Sequence, residues 1–299
     1  MSLTRRRFTQ ILASTLFLHH LPSFAQSVKF WASLTLPEAQ HITRIVSAGA
    51  PADLLLLAVA PEKMVGFSSF DFARQALIPL PEHIRQFPRL GRLAGRASTL
   101  SLEGLMALHP DLVVDCGNTD ETWISQARQV SEQTQIPWLL LNGKLEQSAE
   151  QLTTLGKTLG EEHRAAEQAN LASRFVGEAQ AFATSPAANL SFYAARGPRG
   201  LETGLQGSLH TEAAELLGLH NVAQIADRHG LTQVSMENLL RWQPDIILVQ
   251  EAVTADFIRR DPLWQGVKAV AEQRILFLSG LPFGWLDAPP GINRLLGLR

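Results

Sequence analysis

The chain reads as an α/β protein of two similar lobes, each built on a parallel sheet, with a long helix between them. Three observations predict this. Short β-branched or leucine-rich runs alternate with stretches of helical periodicity. A helix, Pro-Asp, strand block that begins at Ser101 returns 134 residues later at Ser235. Between the two copies, Leu145 to about Ala181 contains no proline. Composition agrees: 45% hydrophobic and 18% charged residues are too apolar for disorder. No apolar run reaches the roughly 20 residues that span a bilayer. With 26 basic and 28 acidic side chains the formal charge is −2, which gives no electrostatic footprint for nucleic acid. One cysteine excludes an intramolecular disulfide framework and any Cys-rich zinc or iron–sulfur site.

Residues 1–25 read as an address. Thr4-Arg5-Arg6-Arg7-Phe8 precedes an apolar stretch from Ile11 to Leu18, and Ser23-Phe24-Ala25 supplies small residues at a cleavage position. Basic, apolar and small-residue regions in that order form a secretory signal. The paired arginines ahead of Phe8 resemble the twin-arginine type, which exports folded proteins. Cleavage near Ala25 would remove three arginines and no acid, taking the charge from −2 to −5. No cysteine stands where a lipoprotein would be cleaved, so a free periplasmic protein is expected. Cys116 would be a lone thiol in an oxidising compartment, shielded rather than reactive.

The remainder divides into a first α/β lobe over 26–144, a linking helix over 145–184 and a second α/β lobe over 185–299. Strands are predicted at Ile42–Ser47, Leu112–Cys116, Trp138–Asn142, Leu190–Ala195, Ile246–Gln250 and Arg274–Ser279. Helical periodicity marks Trp123–Thr134 and Ala213–Leu217. Strands alternating with helices give Rossmann-like lobes with helices on both sheet faces. Ligands in such sheets sit beyond the carboxyl ends of strands. That rule directs attention to Gly49-Ala50-Pro51, Gly117-Asn118-Thr119, Asn142-Gly143 and Arg196-Gly197-Pro198.

The repeated block has a physical reading. Ser101 and Ser235 are N-caps, Glu103 and Glu237 sit in the first turns, Pro110 and Pro244 end the helices, and buried strands follow. If the linking segment is continuous, its length at about 1.5 Å per residue spans roughly 55 Å, a stiff spine. Gly156 and Gly160 lie inside it, each weakening a helix by about 1 kcal/mol relative to alanine, and allow a kink there.

These residues resemble the periplasmic binding proteins of ABC importers for iron–siderophore, haem, cobalamin and related metal complexes. The resemblance rests on Leu90-Gly91-Arg92, the Ser101-to-Asp115 block, Ile136–Gly143, Gly204 to Ala223, Ser235 to Val249, and the ending Phe283-Gly284-Trp285-Leu286-Asp287-Ala288-Pro289-Pro290-Gly291. It implies a ligand cleft between the lobes of a monomeric protein. It also implies docking onto a permease of two transmembrane subunits with a cytoplasmic ATPase. By position, Glu103 and Glu237 would meet arginines on those subunits. A further helix beyond Gly297 is usual in the family, whereas this sequence ends at Arg299, so the expectation is either that this helix is dispensable here or that the second lobe is shortened.

Candidate ligand residues follow from the loops. Ala50 and Asn118 stand at strand ends of the first lobe. Tyr193 is either a strand-core residue or a ligand contact. Arg196 and Arg199, in a glycine-rich loop, offer planar forks for carboxylate, phosphate or an oxyanion. Trp285 with Phe283 either stacks on a flat ligand or packs the lobe. Asp287 lines the cleft or orients an arginine, His210 near a helix start is either structural, the commoner role of a lone histidine, or reaches the cleft, and Asn293 and Arg294 pin the last loop. Seven histidines outside the address show no tight metal-ligand spacing, and no cofactor is expected. No nucleophile elbow, P-loop or His-Glu-x-x-His helix occurs, so an enzyme is not expected. The expected solute is an iron–siderophore or related metal complex. The alternative is an oxyanion such as molybdate or tungstate, or haem or cobalamin.

Overall fold

The computed structural model describes residues 29–72, 80–94, 98–278, 280 and 283–299. The proposed address lies outside the described residues. In the first lobe, strands β1 (Phe30–Ser33), β2 (Ile45–Ser47), β3 (Leu112–Gly117) and β4 (Trp138–Asn142) form one sheet in the order β1-β4-β3-β2. β2, β3 and β4 run parallel, as the alternation predicts, while β1 adds to the edge antiparallel to β4. The second lobe carries β5 (Ser191–Ala195), β7 (His220–Asn221), β9 (Ile246–Val249) and β10 (Ile275–Phe277), parallel and in the order β10-β9-β5-β7. A small antiparallel ribbon pairs β6 (Glu202–Gly204) with β8 (Leu231–Gln233).

The repeated block owes its form to matching hydrogen bonds. The Ser101 hydroxyl accepts from the Gly104 N–H at 3.0 Å, and Ser235 with Asn238 makes a reciprocal capping box. The aspartates that open β3 and β9 then clamp the next strand. Asp111 accepts from the N–H groups of Thr43 and Arg44, both at 2.8 Å. Asp245 accepts from the Ser191 N–H at 3.0 Å and its hydroxyl at 2.7 Å, and pairs with Lys268 at 2.8 Å. Both carboxyls are held below the usual range. For Asp245 the Lys268 and Ser191 hydrogen bonds do this; for Asp111 the Thr43 and Arg44 bonds overcome the upward push of burial. The Pro-Asp echo is thus a register device used once in each sheet.

The linking segment is not one rod. A helix over Ser148–Leu159 ends at Gly160, in the left-handed region at φ +71, and a second helix runs over Glu162–Ala183. The two pack closely, because a Cβ on Gly156 would stand 2.3 Å from the Ala165 Cβ. Gly156 is therefore the contact point of a helical corner rather than a weak spot in a continuous helix. The 22-residue second helix, about 33 Å long, is the spine. Its buried Ala172, Phe175 and Ala179 share one apolar core with Leu139 and Leu152 of the first half and Phe192 and Leu248 of the second. Two smaller cores fill the remaining sheet faces, around Trp138 in the first lobe and around Tyr193 and Trp264 in the second.

A buried ion pair fastens the lobes below the cleft. Arg294, 1% exposed, donates to the Glu212 carboxylate at 2.8 Å and to the Gly143 carbonyl after β4 at 2.7 Å. Glu212 in turn accepts from the Leu145 N–H at 2.9 Å. Second-lobe residues thereby hold the backbone that leaves the first-lobe sheet.

Candidate ligand cleft

The cleft is assembled from the carboxyl ends of first-lobe strands. After β2, Gly49 leads into the helix Ala50–Val59, whose N-terminus carries no side-chain cap. Asp53 in its first turn accepts from the Ser68 N–H at 2.8 Å, the Ser68 hydroxyl at 2.7 Å and the Ser69 N–H at 3.1 Å. That carboxyl is fully buried and pushed up to about 6 by desolvation, against the pull of the serine bonds. The Ser68–Ser69 loop is thus moored to the helix start. A more distant loop is moored by Ala48, whose carbonyl accepts from the Leu93 and Ala94 N–H groups at 2.9 and 3.0 Å. This brings Arg92 to the site. After β3, the Gly117 carbonyl accepts from the Gly143 N–H at 2.7 Å, and a Cβ at Gly143 would lie 2.9 Å from the Gly117 Cα. Only glycine lets the two strand ends approach so closely.

These segments enclose a cavity of about 330 Å³. Its first-lobe wall includes Ala50, Pro51, Ser69, Arg92, Asp115, Gly117, Asn118 and Trp123. Leu209, His210, Pro289 and Pro290 close it from the second lobe. Another hollow, of about 240 Å³ beside the spine, is lined mostly by leucine, isoleucine and phenylalanine and lies off the strand ends.

Behind His210 stands a charged network. The His210 Nδ1 meets an Asp287 carboxylate oxygen at 2.6 Å, and the same oxygen is ion-paired to Arg196. Arg196 also reaches Glu202 at 3.4 Å, and the Gln250 amide donates to the other Asp287 oxygen at 3.4 Å. Gln250 returns the hold by accepting from the Leu286 and Asp287 N–H groups. Asp287 is 1% exposed. Burial alone would raise its pKa, but the His210 hydrogen bond and the Arg196 charge hold it below the usual carboxylate range.

Sequence-predicted residues separate into those on the wall and those behind it. Ala50 and Asn118 line the cavity, and His210 does so with Asp287 as its anchor. Arg196 is committed to two carboxylates, so it orients the network rather than offering a free fork. Tyr193 is not among the cavity-wall residues. It is fully buried, packs near Trp264 with ring centroids 6.3 Å apart, and donates its hydroxyl to the Gly200 carbonyl at 2.9 Å. Its phenol is raised by burial. Arg199 is exposed on the turn closed by the Gly200 N–H to Gly197, away from the wall residues. Trp285 is 46% exposed and also absent from the wall, since its backbone packs against Gly297. Phe283 meets the edges of Phe70 and Phe72, each at 5.8 Å, so it packs rather than stacks. Glu103 and Glu237 are exposed in their first turns. Sequence reasoning missed Arg92 and Asp115 as wall residues. Asp115 had a usable signal, a lone acid at the carboxyl end of an apolar strand; Arg92 had none.

Cys116 is 6% exposed, and burial followed by the Asp115 charge pushes its thiol up to about 12. It is not an available nucleophile. Among the described residues, no three His, Cys, Asp or Glu side chains are placed to hold a metal ion. The geometry is that of a largely apolar cleft whose wall carries the polar groups Ser69, Arg92, Asp115, Asn118 and His210.

A family model described as periplasmic binding protein matches residues 45–280. The chain belongs to that family. No curated protein sequence matches this binding protein significantly. Among solved structures, an ABC transporter solute binding protein from Sulfurospirillum deleyianum is 27% identical, with a TM-score of 0.78 over 89% of this chain and 83% of that one. The vitamin B12 binding protein of Vibrio cholerae gives 20% identity and a TM-score of 0.66 over 86% and 93% of the two chains. The molybdate-bound periplasmic binding protein of Haemophilus influenzae gives 20% and 0.65 over 88% and 84%. The last two establish likeness of fold alone. The binding protein shares with all three a two-lobed α/β architecture.

Proposed function

We propose that the chain is the exported solute-binding component of an ABC importer, and that its cleft captures a compact anionic, metal-bearing solute of the molybdate or tungstate class. The observation that carries this reading is the cavity itself. An uncapped helix N-terminus at Ala50, the Arg92 loop and His210 all face one space of about 330 Å³. Backbone N–H groups at a helix start and basic side chains together favour an anion. The volume lies at the low end of ordinary ligand pockets, which suits an oxyanion better than an iron–siderophore complex, haem or cobalamin. The test is native mass spectrometry with elemental analysis on residues 26–299 purified from periplasm. Bound molybdenum or tungsten supports the reading; a bound iron or cobalt complex replaces the oxyanion with that solute.

Delivery would use Glu103 and Glu237. They are exposed, occupy equivalent first-turn positions in the two lobes, and make no ion pair among the described residues. Such a pair suits a partner of two similar permease subunits. Reversing both charges is expected to abolish uptake into cells while leaving solute affinity within about twofold. A double variant with weakened solute binding overturns the docking role.

A further inference from the structure

Asp115 is an odd residue for an anion site. It lines the cavity yet is 6% exposed, and among the described residues its side chain accepts one hydrogen bond, from the N–H of its neighbour Cys116 at 2.8 Å. Among the described residues no cation is paired with it. Its strand partner is Leu140, and Leu140 and Trp123 share the cavity wall beside it. A carboxylate in such surroundings lacks both solvation and a counter-charge, and an entering anion would add repulsion.

We infer that Asp115 determines which solutes the cleft accepts, entering the complex as the neutral acid and donating its O–H to an oxygen of the bound anion. The inference rests on the oxyanion reading. One proton passes from solvent to the Asp115 carboxylate as the anion binds, and no other bond forms or breaks. The anion keeps its charge, and the carboxyl that would repel it becomes a donor. Burial already pushes this carboxyl up to about 6, so the proton is readily taken.

Other titratable groups face the same region. Arg92 and His210 share the wall. Asp53, on the helix packed against β3, is buried but saturated by Ser68 and Ser69. Cys116 is adjacent, with Arg294 and Glu212 beyond it. Glu121 and Arg128 form an exposed pair on the helix Glu121–Thr134, off the cavity wall. His210 is the competitor, because a histidine can also gain a proton when an anion binds.

Calorimetric titration of residues 26–299 with micromolar sodium molybdate, from pH 5.5 to 8 in buffers of different ionisation heat, tests this. The native protein should lose affinity about tenfold per pH unit above about 6 and take up about one proton at pH 7.5. Asp115→Asn, with Asp115→Ser as the second variant should the first not fold, should bind at pH 8 at least tenfold more tightly than native, with no pH slope. His210→Gln should keep the slope. A native affinity independent of pH, with no proton uptake, overturns the inference and leaves the oxyanion reading standing. A slope that survives in both Asp115 variants and vanishes in His210→Gln assigns the proton to the histidine and also overturns it. Failure of native and variant proteins to bind molybdate or tungstate at any pH overturns both readings.

Discussion

Asp115 in the first lobe and Asp287 in the second are both buried carboxyls at the cleft, and they are treated in opposite ways. Asp287, 1% exposed, is surrounded by Arg196, His210 and Gln250 and stays ionised. Asp115, 6% exposed, has among the described residues one backbone donor and no cation, and is pushed up to about 6. Burial is nearly equal, so burial does not decide the charge; the partners do. The second lobe uses its acid as a fixed anchor that holds His210 on the cavity wall. The first lobe keeps its acid free to respond to what binds.

The largest break in this comparison should come from removing Asp287. Asp287→Ala leaves the Arg196 guanidinium, with its side chain 24% exposed, only Glu202 as an ion-pair partner and releases His210. Breaking a buried pair from one side costs about 3–5 kcal/mol. A loss near the lower end is expected at pH 7 by urea unfolding, because Glu202 remains. Since the folded-state pKa is depressed, the stability from Asp287 is present above the ordinary aspartate range. It is lost as pH falls through the depressed value, so native and variant curves should converge below about pH 4. Equal stabilities at pH 7 would show that the network is ornamental to the fold.

Asp115→Asn should move stability the other way, and by less. Here the folded-state pKa is raised, so the ionised group destabilises the fold above about 6, and this penalty is relieved as pH falls toward the unfolded value near 4. The variant is expected to gain on the order of 1–3 kcal/mol at pH 7.5 and nothing at pH 4. Denaturant midpoints across that range give the measurement. A variant less stable than native at pH 7.5 would mean that the carboxylate has a stabilising partner in the fold, and the contrast with Asp287 would collapse.

Much of this arrangement was legible in the sequence because it follows from local rules. The apolar runs at 112–116 and 138–142 became β3 and β4 within one residue. Ser101 and Ser235 became caps, and loops after β2 and β3 supplied Ala50 and Asn118 to the wall. What was hidden depends on contacts between distant segments. Arg92 is placed at the cleft by the Ala48 carbonyl, which holds Leu93 and Ala94, and by its own backbone bonds to Thr99 and Leu100. Tyr193 and Arg196 lie three residues apart on one strand and its exit, yet Trp264 claims the first and Asp287 the second. The β1 edge strand runs antiparallel and breaks the βαβ alternation. The corner at Gly160 was foreshadowed by its glycines, but the choice between a kink and a full reversal needed Gly156 against Ala165.

The smallest expected effect sharpens the picture of Asp115 through its neighbour. Cys116 shares the strand end, and its thiol is raised to about 12 first by burial and second by the Asp115 charge. Reaction with iodoacetamide requires the thiolate. At pH 8 the folded protein should therefore remain unlabelled over an hour, while the protein in concentrated urea labels fully, as intact mass spectrometry would read. Asp115→Asn removes the secondary cause and leaves the primary one, so its folded-state labelling should rise by no more than about tenfold. Labelling of the native fold as fast as the unfolded chain would mean that the strand end opens to solvent. In that case Asp115 would be hydrated too, and its difference from Asp287 would lie in exposure rather than in partners.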